Sequence, residues 1–188
     1  MIKAIIFDCF GVIYLDYFEK VYAHFGGDIH KDAAYLSSMF FEVSKGTIDW
    51  YEELARKFNI TPEEWREVKE QFSTFNFELL DYINELRKTY KVAMLSNIGP
   101  EGLEQHLDRS VIEAYFDEIV ESGKIGYAKP EAQAYEYVAD KLGVRLDECV
   151  FTDDRIEYIE GAQSVGMKTI LFENTEQFIR DLEHVFTS

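Results

Sequence analysis

Apolar positions along the chain follow two different spacings. Near the start, Ala4-Ile5-Ile6-Phe7 is an unbroken apolar run that ends on Asp8. Such a run predicts a strand buried on both faces, as in a parallel sheet, that delivers Asp8 to the sheet's carboxyl edge. Ligands bind at that edge in open α/β sheets. Over residues 16–75 the spacing becomes helical. Phe18, Val21, Tyr22 and Phe25 make one stripe, ended by Gly26-Gly27. Ala33, Leu36, Phe40 and Val43 make a second, and Ile48, Tyr51, Leu54, Ala55 and Phe58 a third. A fourth helix starts with Thr61 as N-cap, Pro62 in the first position and Glu64 placed to close a capping box, and Trp65, Val68 and Phe72 share one face. Four short amphipathic helices in a row predict a small bundle whose aromatics fill its core.

From residue 77 helix and strand alternate. Leu79, Leu80, Ile83 and Leu86 stripe a helix, and residues 91–95 read as a buried strand. A helix over 100–108 and a second near 110–115 lead to a short strand at 118–121. Pro130 opens a helix carrying Ala134, Tyr137, Val138 and Leu142, stopped by Gly143. Residues 148–152 form the next strand. Ile156, Ile159, Ala162 and Val165 stripe a helix, residues 168–172 form a strand, and Phe178, Ile179, Leu182 and Val185 mark the last helix. Strands separated by helices imply right-handed crossovers and a parallel sheet covered on both faces. The expected fold is α/β, with a five-stranded parallel sheet in a three-layer core of residues 1–14 and 77–188. Residues 15–76 form an all-helical cap inserted after the first strand.

Composition narrows the function. The 188 residues are 47% hydrophobic and 29% charged, with 19 Lys and Arg against 36 Asp and Glu, a net charge of −17. So acidic a surface repels nucleic acid and anionic membranes, which excludes both as expected partners. It repels phosphorylated metabolites too, unless a cation or a local lysine reverses the field. No apolar run approaches the ~18 residues of a membrane span. Met1 leads straight into a strand, so no signal peptide is expected. Cys9 and Cys149 fall in different strands, which predicts free thiols and a reducing cytoplasm. His24, His30, His106 and His184 show no metal-ligand spacing.

Four further features gather at strand ends. Asp8 is either a cap for the following turn or a carboxylate able to attack and become a covalent intermediate. Ser96-Asn97 follows the strand at 91–95, as phosphate ligands or as the cap of a helix after Gly99-Pro100. Lys129 stands just before the helix-opening Pro130, where the macrodipole disfavours a cation unless an anion compensates it. Asp153-Asp154 crowds two more carboxylates at the edge that holds Asp8, and such crowding calls for a cation, with all-oxygen ligation suiting Mg²⁺.

In this order, Ile6-Phe7-Asp8-x-x-Gly11-Val12, Met94-Leu95-Ser96-Asn97, Gly126-x-x-Lys129-Pro130-Glu131 and Val150-Phe151-x-Asp153-Asp154 resemble the haloacid dehalogenase superfamily. The helical insertion matches its subfamily with a C1-type cap, and Glu160-Gly161-Ala162-x-x-x-Gly166 is similar to sugar-phosphatase-like members. The resemblance implies a Rossmannoid core and a Mg²⁺-dependent phosphatase acting on small phosphorylated metabolites, sugar phosphates among them. It implies Asp8 as nucleophile, with Mg²⁺ held by Asp8, the backbone carbonyl of Phe10 and Asp154, and Asp153 assisting. Ser96 and Asn97 bind the phosphoryl group, and Lys129 neutralises its charge. Two positions depart from the pattern. Phe10 stands where such phosphatases carry a second Asp as general acid and base, help typically worth 10²–10⁴-fold. Tyr158 stands where a polar Asn or Asp usually follows the acidic pair. Phe10 opens two alternatives: a 2-haloacid dehalogenase, whose halide leaves without a proton, and a binding or regulatory module with little turnover. Asp153-Asp154 weighs against the first, because the dehalogenase branch is metal-free. Asp16, Glu19 or Glu42 of the cap are candidate replacement acids, and Trp50 or Tyr17 candidate pocket walls.

Overall fold

The computed structural model describes residues 1–16, 18–99 and 102–187. In chain order, β1 (Ala4–Phe7) and β2 (Tyr14–Asp16) precede four helices, α1 (Phe18–His24), α2 (Ala33–Ser44), α3 (Trp50–Phe58) and α4 (Pro62–Phe72). β3 (Ser73–Phe75), α5 (Phe77–Leu86), β4 (Lys91–Ser96), β5 (Glu118–Glu121) and α6 (Ser122–Ile125) follow. The chain continues through α7 (Ala132–Leu142), β6 (Cys149–Asp153), α8 (Ile156–Ser164), β7 (Lys168–Leu171) and α9 (Thr175–Thr187).

The main sheet is parallel throughout, in the order β5-β4-β1-β6-β7. β1 takes the centre because it carries no charge and all four of its side chains are fully buried. Complete burial of a residue such as Ile5 or Phe7 is worth ~1.5–3 kcal/mol. Side-chain alternation divides the sheet residues between two cores. Ile5, Phe7, Val92, Met94 and Val150 pack with Leu79, Leu80 and Ile83 of α5 and Phe178 and Leu182 of α9. Ala4, Ile6, Ala93, Leu95, Cys149 and Phe151 pack with Ala134, Tyr135 and Val138 of α7 and Ile159 and Ala162 of α8. The three-layer α/β fold expected from the sequence is the observed one.

The four helices between β2 and β3 enclose a third apolar cluster, including Tyr22, Met39, Tyr51, Leu54 and Trp65. Both chain crossings between this cap and the core run through an antiparallel ladder of β2 and β3 that periodicity did not reveal, Tyr14 facing Phe75. Three residues are too few to show an alternation. Asn76 secures the return crossing: its backbone N–H donates to the carbonyl of Ile13 at 2.8 Å and its amide to that of Val12 at 3.1 Å. Its Oδ1 caps α5 through the Leu79 N–H.

Elsewhere the boundaries moved. Residues 103–115 form three 3₁₀ turns in place of the expected helices, at Leu103–Gln105, Arg109–Val111 and Glu113–Tyr115. Glu121 pins them: its buried carboxylate accepts from the Leu103 N–H at 2.9 Å and from Arg109 at 2.7 Å. Pro100, the expected start of the first of those helices, lies outside the described residues. α7 begins at Ala132 and not at Pro130, so Lys129 is outside its first turn, and the Lys129–Pro130 peptide is cis. β6 runs one residue further than expected and ends on Asp153. Ile156, expected on the buried stripe of α8, is 54% exposed, whereas Ile159 and Ala162 are buried. Cys9 and Cys149 are both buried and are not joined in a disulfide. Among the described residues, no helix is long and apolar enough to cross a membrane.

The capping box of α4 forms as the sequence predicts, with Thr61 Oγ1 accepting from the Glu64 N–H at 3.2 Å and Glu64 Oε2 from the Thr61 N–H at 2.7 Å. Thr61→Ala is expected to lower stability by about 1 kcal/mol. Urea unfolding followed by tryptophan fluorescence measures it, because Trp50 and Trp65, the two tryptophans of the chain, both lie in the cap. A midpoint unchanged at constant slope would show that the box contributes nothing.

Candidate active site

The central strand ends by handing Asp8 to a turn. Its N–H donates to the carbonyl of Thr152 at 2.9 Å, which locks the end of β1 to β6. Gly11 makes the turn possible with a φ of +88°, a left-handed conformation that side chains disfavour. It is also a close approach: a Cβ there would stand 2.4 Å from Asp154 Oδ2. The turn and the acidic pair at the end of β6 are thereby pressed together.

Lys129 organises the site. Its Nζ donates to Asp8 Oδ1 and to Asp153 Oδ2, both at 2.6 Å, and all three residues are buried. Asn97, just past β4, holds the lysine from behind. Its Nδ2 donates to the Lys129 carbonyl and its Oδ1 accepts the Lys129 N–H, each at 2.8 Å. The second oxygen of Asp153, Oδ1, accepts the Arg155 N–H at 3.0 Å, so both carboxylate oxygens have partners.

The electrostatics follow from that crowding. Burial and then the charge of Asp153 raise Asp8 well above the usual carboxylate range, with Lys129 opposing. Burial by itself would lower Lys129, but Asp153 and Asp8 outweigh it and hold the ammonium protonated. Asp154 is exposed by area, yet desolvation within the cleft, and then Asp153, raise it to about 6. One ligand atom from each of Asp8, Asp153 and Asp154 lies within 4.8 Å of the others, the single such acidic or metal-binding triplet among the described residues. Three carboxylates facing one lysine leave excess negative charge on all-oxygen donors, a set that fits a hard divalent cation. Ser96 ends β4 with its hydroxyl buried and without a partner, as is that of Thr152.

A cleft of about 260 Å³ opens onto Asp8 and Asp154. From the cap come Phe18, Phe40, Val43 and Trp50; from the core come Phe10, Gly11, Asn97, Ile98, His106, Arg155 and Tyr158. Phe40 stacks on Trp50 at 5.2 Å between ring centroids, and Phe18 lies 5.3 Å from Trp50. Phe10 makes T-shaped contacts with Tyr14 and His106, at 6.1 and 5.7 Å between ring centroids. Burial, then the charges of Lys69 and Arg66, lower His106 to about 3, so its imidazole is neutral. Lys69 of α4 reaches the core, donating to the carbonyl of His106 at 3.2 Å, with its ammonium 5.7 Å from the Phe10 ring.

The structure brings Asp8, Lys129, Asp153 and Asp154 together as the sequence leads one to expect, with Phe10 beside them. Asn97 differs, since its amide grips the backbone of Lys129. Neither Glu19 nor Glu42 lines the cleft, and Glu42 takes the Thr47 hydroxyl. The Asp16 side chain and Tyr17 lie outside the described residues. His106, Lys69, Arg155 and the wall made by Phe18 and Phe40 are the additions. Helical spacing did place those two rings on apolar stripes, but a stripe does not say which of its members faces a ligand. A lone histidine and a lone cap lysine carry no pattern at all.

The sequence matches the haloacid dehalogenase-like hydrolase family over residues 2–166. Among curated relatives, flavin mononucleotide hydrolase 1 of Arabidopsis thaliana is 29% identical over 186 residues, 95% of this chain and 75% of its own. N-acylneuraminate-9-phosphatase of Rattus norvegicus is 27% identical over 111 residues, 58% of this chain and 45% of its own. Drimenol cyclase drtB of Aspergillus calidoustus is 29% identical over 136 residues, and this chain spans 72% of itself but 25% of that protein. The mouse bifunctional epoxide hydrolase 2 is likewise matched over only 13% of its length. Among solved structures, a HAD-like hydrolase of Porphyromonas gingivalis superimposes with a TM-score of 0.79 at 22% identity, covering 100% of this chain and 99% of that one. A HAD family enzyme of Bacteroides thetaiotaomicron, in complex with magnesium and inorganic phosphate, does so with a TM-score of 0.70 at 21% identity, covering 92% and 95%.

Gly11→Ala is expected to displace the Asp154 carboxylate, because its Cβ would otherwise overlap Oδ2. Mg²⁺ affinity, read by calorimetric titration, should fall about 10–100-fold, the usual effect of disturbing the shell around a metal ligand. Unchanged affinity in a folded variant would remove Asp154 from the cation site.

Proposed function

The chain belongs to the haloacid dehalogenase-like hydrolases, and from that premise we propose a Mg²⁺-dependent phosphatase that works through a covalent intermediate on Asp8. The observation that carries the reading is Lys129, buried and bonded at 2.6 Å to both Asp8 and Asp153, with Asp154 alongside. A phosphoryl group brings two or more negative charges, and this site holds a fixed cation and a carboxylate set suited to a second one. The kinship with a phosphatase and a mononucleotide hydrolase, and with a fold seen to hold magnesium and phosphate, points the same way.

Asp8 attacks phosphorus, and the bond to the leaving oxygen breaks. Water then attacks the aspartyl phosphate, releasing phosphate and restoring Asp8. Lys129 opposes the burial that favours a protonated Asp8 and offers positive charge to the oxygens on which charge accumulates. Asp8, the Phe10 carbonyl and Asp154 would hold Mg²⁺. Asp153, whose oxygens already serve Lys129 and the Arg155 N–H, would assist through water. When bound, the ion supplies charge neutralisation and orients the phosphoryl oxygens. The unpartnered Ser96 hydroxyl is available to a phosphoryl oxygen, while Asn97 acts one step back by fixing Lys129. Phe10 explains why a haloacid dehalogenase remains the rival reading, but a metal-free site has no use for Asp154 beside an already paired Asp153. The substrate is a small phosphorylated metabolite, and two cysteines without a disulfide fit a cytoplasmic setting.

Hydrolysis of p-nitrophenyl phosphate with Mg²⁺ tests this directly. Asp8→Asn should lose at least about a thousandfold in kcat while keeping the wild-type circular dichroism spectrum, in line with removal of other covalent nucleophiles. Exhaustive chelation should abolish wild-type turnover, and added Mg²⁺ should restore it. Full activity after chelation, with halide released from 2-chloropropionate, would transfer the protein to the dehalogenase reading.

A further inference from the structure

We propose that the leaving group this site accepts is a small aromatic ring, which makes the substrate an aryl phosphate monoester; this rests on the phosphatase reading above. Two independent observations carry it. The first is the wall of the cleft. Every described cap residue that lines it is hydrophobic, Phe18, Phe40, Val43 and Trp50, and their side chains carry a single polar atom, the buried Trp50 Nε1. Phe40 and Trp50 lie nearly parallel, at 23° between ring planes, so the wall already contains one stacked pair of rings. A sugar or polyol leaving group brings several hydroxyls that each need a partner when buried. Two of the polar groups on the core side are already committed, Asn97 to the Lys129 backbone and Arg155 to Glu157 and the Tyr158 hydroxyl, and His106 adds only one neutral imidazole. A flat apolar ring requires none, and rings stack on such walls.

The second observation is Phe10, which lies in the cleft beside Asp8 and has no proton to give. A phenol loses its proton at about 10, as the tyrosine side chain does. An aliphatic alcohol lies nearer water, at about 15.7. Aryloxide therefore departs without prior protonation, whereas an alkoxide departs poorly. In the first step the bond from Asp8 to phosphorus forms and the bond from phosphorus to the aryl oxygen breaks. Its electron pair goes to that oxygen, which then takes a proton from solvent. Water next attacks phosphorus, the bond to Asp8 breaks, and the products are one phenol and one hydrogen phosphate for each ester and water consumed. The cleft, at about 260 Å³, has room for one or two fused rings beside the phosphoryl group. The apolar wall selects the ring and Phe10 tolerates no poorer leaving group.

Wild-type protein with Mg²⁺ is assayed on acetyl phosphate, phenyl phosphate, 1-naphthyl phosphate and glucose 6-phosphate. Acetyl phosphate has a good leaving group and no ring, so it tests the phosphatase reading without the inference. The expected result is turnover of acetyl phosphate, a kcat/KM for 1-naphthyl phosphate at least tenfold above that for glucose 6-phosphate, and a lower KM for naphthyl than for phenyl. Phenylphosphonate should inhibit acetyl phosphate turnover at least tenfold more tightly than methylphosphonate, a comparison that needs neither a variant nor a difference in leaving group. Trp50→Leu and Phe40→Leu should each raise the KM for 1-naphthyl phosphate more than that for acetyl phosphate. Acetyl phosphate turned over while the two phosphonates inhibit equally, or glucose 6-phosphate matches the aryl esters, would overturn the aromatic assignment and leave the phosphatase standing. Absence of turnover on all four would overturn both.

Discussion

One buried ammonium holds the catalytic edge of this protein together. Lys129 has no exposed side-chain surface, and neither has Asp153, while Asp8 is nearly as enclosed. Deleting one member of such a set strands charge in the interior, at a typical cost of ~3–5 kcal/mol. The trio therefore ties three separate chain segments to one point: the end of β1, the end of β6 and the segment ahead of α7. Asn97 adds a fourth by clasping the lysine's backbone from the end of β4. The same contact sets the chemistry, because a carboxylate buried this deeply would be neutral without a neighbouring cation.

The cap answers a different constraint. Its helices are short, and none could bury its stripe alone, so they share a cluster of rings around Trp65 with Phe25 and Phe58 stacked against it at 5.3 and 5.9 Å. Some of the same rings also face the cleft: Phe18 and Trp50 pack within the cap and line the site. Packing and recognition thus draw on one set of aromatics. The β2–β3 ladder and the Asn76 bonds fix where the cap stands over Asp8, and Lys69 and His106 meet across the seam beside Phe10. Phe10 is then a member of the wall as much as a missing acid. The residue that lies at the usual place of a proton donor continues the apolar surface of the cap down to the nucleophile.

Local patterns wrote most of the fold. An apolar run reads as a buried strand whatever surrounds it, and β1, β4, β5, β6 and β7 lie within a residue of their expected limits. Thr61, Pro62 and Glu64 start α4 by bonds made within three residues. Where the reading failed, the deciding contact was distant. The segment at 103–115 coils into 3₁₀ turns because Glu121 captures Leu103 and Arg109, and three-residue strands such as β2 and β3 exist only through each other.

By itself, then, the sequence determined which stretches become strands and helices, that the sheet is parallel, and that Asp8, Ser96, Lys129 and the acidic pair gather at one edge, since periodicity and strand ends are properties of neighbouring residues. The tertiary structure alone decided that Lys129 bridges Asp8 and Asp153 across 121 and 24 residues of chain, that Asn97 serves the lysine, and that four cap residues close an apolar wall over Phe10. Those contacts depend on how separate elements are set against one another, and no local spacing encodes that.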